Sequence, residues 1–374
     1  MLHVKRNGRG PSDTSLAAGM AKCFIHVGME KTGSTSIQQA IRQNLPWLKE
    51  AGIIYPQGGI ARLNHNFLAS SYLPQGSDRL VRGLPPRVRK GEEKRFLDAY
   101  RQDLMSEIRR GHHVIISGEH LFRLRADEIS MLKRDLADAG VDDVLIFAVL
   151  RSPASFYLSF VQQEVKGSSR FPAPADFFVD YASRVAGWQR HFPCTFLEFS
   201  ALSASEEGIV GKFAQEMGRF MGVDLSFFRH NIPFVNDSLS PEEMQIVQDF
   251  RFRWYSKQDG KLNRPTTRLI KALCKARDKG WRKPILRPEA CALIAERHKG
   301  EVASLSALTG ITFEIPSTHH EHPRKHPLLV REVVANFDCT LYDRLNQQVG
   351  SLRHADFGTQ LEYLAKRLGL RRQE

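Results

Sequence analysis

Cys23-Phe-Ile-His-Val-Gly28-Met-Glu-Lys31-Thr32-Gly33-Ser34-Thr35-Ser36 is the stretch on which the reading of this chain turns. An apolar run, Phe24 to Val27, leads into a loop of small and hydroxylated residues. Apolar residues then return at helical spacing, at Ile37, Ala40 and Ile41. Strand, phosphate loop and helix are the parts this order implies. Small residues at 33–36 let backbone amides close on a phosphate, and a helix starting near Ser34 aims its unpaired N–H groups there. The pattern is close to G-x-x-x-x-G-K-[ST], with Gly28, Gly33 and Thr35 in register. It departs where Ser34 occupies the lysine position and the lysine stands three residues earlier, as Lys31. That displacement points away from magnesium-dependent phosphoryl transfer. Thr32, Ser34, Thr35 and Ser36 add hydroxyls, and Lys31 adds a compact positive charge.

A second motif lies downstream. Val144-Leu-Ile-Phe-Ala-Val-Leu150 is a run of seven apolar residues, suited to a strand buried on both faces of a parallel sheet. Arg151-Ser-Pro153 follows, with Ser152 placed to cap a helix that begins at Pro153. Arg151 then lies at the carboxyl edge of the sheet, where open α/β folds bind ligands, and its guanidinium fork suits a terminal phosphate.

Residues 28–36 resemble the 5′-phosphosulfate loop of sulfotransferases that use 3′-phosphoadenosine 5′-phosphosulfate (PAPS). Residues 144–159, an apolar strand, Arg-x-Pro and then Ser159, are similar to the 3′-phosphate motif of the same family. The resemblance implies an α/β fold: a three-layer, P-loop-like parallel sheet flanked by helices, with a helical C-terminal extension. It implies PAPS as co-substrate, adenosine 3′,5′-bisphosphate as product and no required metal. Cofactor binding then falls to Gly28, Lys31, Thr32, Gly33, Ser34, Thr35, Ser36, Arg151 and Ser159, the reach of Ser159 being inherited from the resemblance alone.

Sulfuryl transfer needs positive charge at the leaving phosphate, which Lys31 supplies, and a base for the acceptor. Two catalytic candidates remain open for the base. Glu119 follows the strand Val114–Gly118 in a segment resembling a Ser-Ser-Glu pattern of bacterial relatives, with Gly118 as a departure. His65, in Leu63-Asn-His-Asn66, matches a histidine often found in the acceptor-side segment of relatives. Each has an ordinary alternative, a strand-end helix cap and a loop histidine respectively. His120 and Glu30 stand nearby. Asn236-Asp-Ser238 reads as a turn before a helix cap at Ser240, and Trp188 as a core residue. His319, His320, His322 and His326 sit among Glu, Pro and Lys in an apparent loop, a weak setting for a metal.

The chain has 374 residues, 42% hydrophobic and 25% charged, ordinary for a globular protein. No apolar run approaches the ~20 residues of a membrane span, and the five scattered cysteines read as reduced thiols. A cytoplasmic, bacterial-type member is therefore expected. Its net charge of +13 is concentrated: residues 251–287 hold thirteen Lys/Arg against Asp259 and Asp278, a net of +11. Such a block is a solvated helical face or a surface for anions. Expected acceptors are a saccharide or glycolipid, an anionic one included, with peripheral membrane contact allowed and no nucleic acid. The rival readings are a Mg·ATP-dependent P-loop kinase and a non-catalytic adaptor for polyanions.

Along the chain, residues 1–20 read as a loose tail, with Met20 an alternative start. Residues 21–250 read as the catalytic core and 251–374 as a basic, mainly helical extension. Helices are predicted over 34–48, 94–110, 127–139, 174–191 and 206–221, with a long loop or partial lid over 56–95.

Overall fold

The computed structural model describes residues 21–60, 62–77, 84–85, 88–110, 112–228, 238–260, 262–275, 277, 281–313 and 328–350. The N-terminal tail with Met20, the Asn236-Asp pair and the histidines of 319–326 lie outside the described residues. Five parallel strands form one sheet: β1 Lys22–Val27, β2 Ile53–Ile54, β3 His113–Gly118, β4 Asp143–Leu150 and β5 Cys194–Glu198, in the order β2-β3-β1-β4-β5. The expected α/β class is found, with helices on both faces of the sheet.

The strands explain the layering. In β1, Cys23, Ile25 and Val27 point into one apolar cluster and Phe24 into the other. Alternation along a strand sends successive side chains to opposite faces, so a strand apolar on both must be covered twice. One face is covered by α1 Ser34–Gln43 and α9 Gly208–Met221, through Ile37, Ile41, Phe213 and Met217. Phe24 lies there against Phe147, Phe213 and Phe220, with ring centroids 5.4–6.1 Å away. Removing that ring would cost about 3–5 kcal/mol.

The other face carries the larger core. It is built by α3 Asn66–Ser71, α4 Glu93–Ile108, α5 Ala126–Asp138, α6 Pro153–Gly167 and α7 Ala182–His191, together with the later helices. These are α10 Pro241–Tyr255, α11 Arg264–Lys275, α12 Pro288–Arg297, α13 Lys299–Thr309 and α14 Val330–Val333, before α15 Cys339–Gly350.

Several boundaries differ from the sequence reading. The helix predicted over 34–48 breaks at Asn44 and resumes as α2 Leu45–Glu50. Pro46 has no N–H to continue α1 and is instead suited to the first turn of a new helix. The segment 56–95 is not simply a lid: α3 lies within it, and Phe67 packs edge-on against Phe96 and Tyr100. The helix predicted from Pro174 begins only at Ala182, after a Pro172- and Pro174-containing stretch without regular structure. A short helix, α8 Phe199–Ala204, precedes α9.

The boundary drawn at residue 250 falls inside α10. That helix has the anticipated cap, with Ser240 Oγ accepting from Glu243 N and the Glu243 carboxylate accepting from Ser240 N. The extension is stitched to the core. Gln248 Nε2 donates to Ser169 O and Leu328 O, and Glu301 Oε2 accepts from the amides of Tyr181 and Ala182. Residues beyond 250 therefore share the core of the sheet domain.

Candidate functional site

β1 is flanked by β3 and β4 in register, pairing Val27 with Gly118 and His26 with Phe147. The loops after these three strands therefore open at one edge of the sheet. Gly28 N donates to Gly118 O (3.2 Å), bringing the phosphate loop against the turn that carries Glu119.

The loop holds a specialised backbone. Lys31 has φ 63° and Gly33 φ 81°, both left-handed, a costly conformation for a lysine and an easy one for glycine. A Cβ at Gly28 would meet Ser34 Oγ at 2.3 Å, so a side chain there would have to displace the Ser34 hydroxyl. Gly33 caps α1 without any side-chain hydrogen bond, so the first amides of the helix have no side-chain cap. Ser34 Oγ is buried with no hydrogen-bond partner among the described residues. Thr32 differs from its reading as a free donor, since its hydroxyl donates to Met29 O (2.6 Å) and fixes the loop instead. Thr35 and Lys31 are exposed, and Ser36 is half-buried.

Arg151 reaches the same loop from the end of β4. Its Nη1 donates to Lys31 O (2.9 Å) and its Nε to Ser155 Oγ (2.6 Å), while the guanidinium lies 4.5 Å from the Phe199 ring. Burial presses its pKa down to about 10, which leaves it charged at neutral pH. Ser152 caps α6 as expected, accepting from Ser155 N (3.4 Å). The hydroxyl in contact with Arg151 is Ser155, which the sequence reading missed. Its signal was its position, four residues after Arg151, with Ser159 four residues further along α6.

Glu119 opens the short 3₁₀ turn His120–Arg123. Its carboxylate has no hydrogen bond or ion pair among the described residues. Burial raises its pKa, and the nearby Lys31 charge draws it partly back. His65 is fully enclosed. Ser117 N donates to its Nδ1 (2.9 Å), and its Nε2 donates to Pro56 O (2.7 Å). Both ring nitrogens are occupied by backbone, and burial lowers the pKa to about 4. The imidazole has no lone pair left for an acceptor proton, which corrects its candidacy as base. Gly118, the departure from the relatives' pattern, has a steric reason: a Cβ there would press on Asn66 Oδ1 at 3.1 Å and the His65 carbonyl carbon at 3.3 Å.

Of the lesser candidates, Glu30 is held in an ion pair by Arg123. His120 is pressed towards its neutral form by burial, and Trp188 lies in the core as anticipated. Sequence reasoning also missed Arg123, Arg184 and Tyr181. The buried Tyr181 hydroxyl, which has no hydrogen-bond partner among the described residues, feels the charges of both Arg184 and Arg151. Arg184 and Arg123 in turn repel one another. Two guanidinium charges thus act on a buried hydroxyl that has no hydrogen-bond partner among the described residues.

Elsewhere, a cleft of about 350 Å³ runs along α9 past Glu207, Gln215, Arg219 and Asp224, remote in composition from the loop. Among the described residues there is no cluster of three metal-ligating side chains, and no helix is long and apolar enough to cross a membrane. None of the five cysteines is in a disulfide.

No family model matches the chain, and no curated protein matches it. One similar solved structure is a chain from the PezAT chromosomal toxin–antitoxin system of Streptococcus pneumoniae. It is 13% identical over 63% of this chain and 87% of that one, with a TM-score of 0.30.

Proposed function

We propose that the chain is a PAPS-dependent sulfotransferase acting on a hydroxyl or amine, with a saccharide or glycolipid as the acceptor class. The observation that carries this reading is the hydrogen bond from Arg151 to the carbonyl of Lys31. It joins the two motifs, 120 residues apart in sequence, at one sheet edge. A donor with phosphates at both 3′ and 5′ positions needs such a pair of anion sites, and ATP does not.

The residues present fit such a donor. The loop keeps Gly28 against the Ser34 hydroxyl and offers that orphaned hydroxyl together with the first amides of α1. When bound, PAPS supplies the sulfuryl group, and adenosine 3′,5′-bisphosphate is left. Lys31, Ser34 and the α1 amides stabilise the negative charge that grows on the 5′ side as the bond to sulfur breaks. Arg151 and Ser155 hold the 3′-phosphate, with Ser159 one turn further along α6. Glu119 takes the proton from the acceptor. Burial makes its carboxylate a stronger base than a solvated one, and the Lys31 charge draws its pKa partly back. Thr32 keeps the loop in shape, and no metal takes part in the reading.

Calorimetric titration with adenosine 3′,5′-bisphosphate, Mg·ATP and adenosine 5′-monophosphate tests this. The bisphosphate should bind tightest, and Arg151→Ala should weaken it by about 10- to 100-fold, the value of a charge-assisted hydrogen bond. Preference for Mg·ATP would replace the reading with a kinase. Binding of none of the three would overturn it.

A further inference from the structure

The cationic run after residue 250 takes no part in the site above. α11 turns Thr266, Leu269, Ala272 and Leu273 inward. Arg264, Arg268, Lys271 and Lys275 are exposed, at steps of four, three and four residues that form one stripe on a helix. α11 contains no acidic residue, and none of the four cations is in a salt bridge among the described residues. Asp259, just before the helix, is occupied by Ser169, whose amide and hydroxyl both donate to it.

Large apolar side chains are exposed just before this helix: Phe252 (57%) and Trp254 (39%) in the last turn of α10, and Leu262 (65%) in the connection to α11. The connection itself is firmly held. The buried Arg251 guanidinium donates to Thr266 Oγ1 (3.2 Å) and Gln258 O (3.0 Å). The end of α10, the connection and α11 are thus tied together and carry both unneutralised cations and exposed aromatic and aliphatic groups.

We propose that this surface docks the protein on an anionic lipid bilayer. A polyanion of any kind would satisfy the four cations. A bilayer also gives Phe252, Trp254 and Leu262 an apolar phase beneath the headgroups, which a nucleic acid or sulfated saccharide does not. Leu262 lies beside Gly167, at the C-terminal end of α6, whereas Arg151 precedes its N-terminal end. Fifteen helical residues separate the two by about 20 Å. Docking and nucleotide binding are accordingly separable functions.

Flotation of the full chain with phosphatidylcholine vesicles, with and without phosphatidylserine, tests the proposal. Binding should require phosphatidylserine and weaken as salt rises. Replacing all four cations (Arg264→Gln, Arg268→Gln, Lys271→Gln, Lys275→Gln) should reduce partitioning on the order of 10²- to 10³-fold. The pair Phe252→Ser and Leu262→Ser should abolish the part of binding that survives high salt. All six positions are exposed, so the melting transition of each variant checks that the fold is intact. Equal binding to both vesicles, no binding at all, or unchanged binding of the four-cation variant would overturn the proposal. So would stronger retention on heparin or duplex DNA than on anionic vesicles at the same salt, or a Phe252/Leu262 variant that binds like the parent in high salt.

Discussion

Two segments meet at the end of β3, and they treat their titratable side chains in opposite ways. The segment 56–66 locks His65 between Ser117 N and Pro56 O. The turn 119–123 leaves the Glu119 carboxylate without a hydrogen bond among the described residues, its pKa raised by burial and tempered by Lys31. An imidazole is the commoner general base, yet here it is the structural group. In our reading, what decides the role is an available lone pair.

The comparison breaks first on activity. In our reading Glu119→Gln should lower kcat by about 10²- to 10⁴-fold, the usual worth of a positioned base, whereas His65→Gln should leave the kcat of the folded protein within a few-fold. Steady-state kinetics with labelled PAPS would expose a reversal. Lys31→Ala should lower kcat by on the order of 10²-fold or more. It should also move the acidic limb of the pH–kcat/KM profile to higher pH, because the charge that lowers the Glu119 pKa is gone. An unmoved limb would separate Lys31 from Glu119 and sink the pairing.

Stability sharpens the contrast. His65→Ala leaves Ser117 N–H and Pro56 O unpaired in the interior and should cost about 3 kcal/mol in urea unfolding. In the intact protein His65 resists protonation down to about pH 4 and His26 to about pH 3, while the unfolded chain takes those protons near 6.5. Their contribution is full above that value and is lost as pH falls from about 6.5 towards 4 for His65 and towards 3 for His26. Denaturation curves across that window should show the loss. Glu119 has the opposite sign. Its folded pKa is raised, so its contribution is present below the unfolded value and lost as pH rises through the folded one. At neutral pH its carboxylate is a cost, and Glu119→Gln should raise Tm slightly, the gain vanishing in acid.

The strand–loop–helix at 22–43 was legible because its signals are local: apolar alternation, loop glycines and helical spacing. The strand end at Arg151 was legible for the same reason, and the break at Asn44 was written in Pro46. The lock on His65 was not, since its partners Pro56 and Ser117 are 9 and 52 residues away and both are backbone groups. Backbone partners leave no trace in side-chain pattern. The stretch before α7 misled because its apolar residues, Phe177 and Tyr181 among them, pack from an irregular chain. The division at residue 250 followed a change in charge. The core follows the buried face of α10, which the charge does not mark.

The strand order carries a consequence for how the chain is made. β1 emerges first from the ribosome, yet it sits in the middle of the sheet and pairs only with β3 and β4, the nearer beginning about 90 residues later. Until those strands arrive, Phe24, Ile25 and Val27 have no hydrogen-bonded neighbours to cover them. Such long-range pairing folds slowly and leaves a sticky segment waiting. The phosphate loop, whose shape depends on Gly118 and Arg151, is thus synthesised well before the parts that set it.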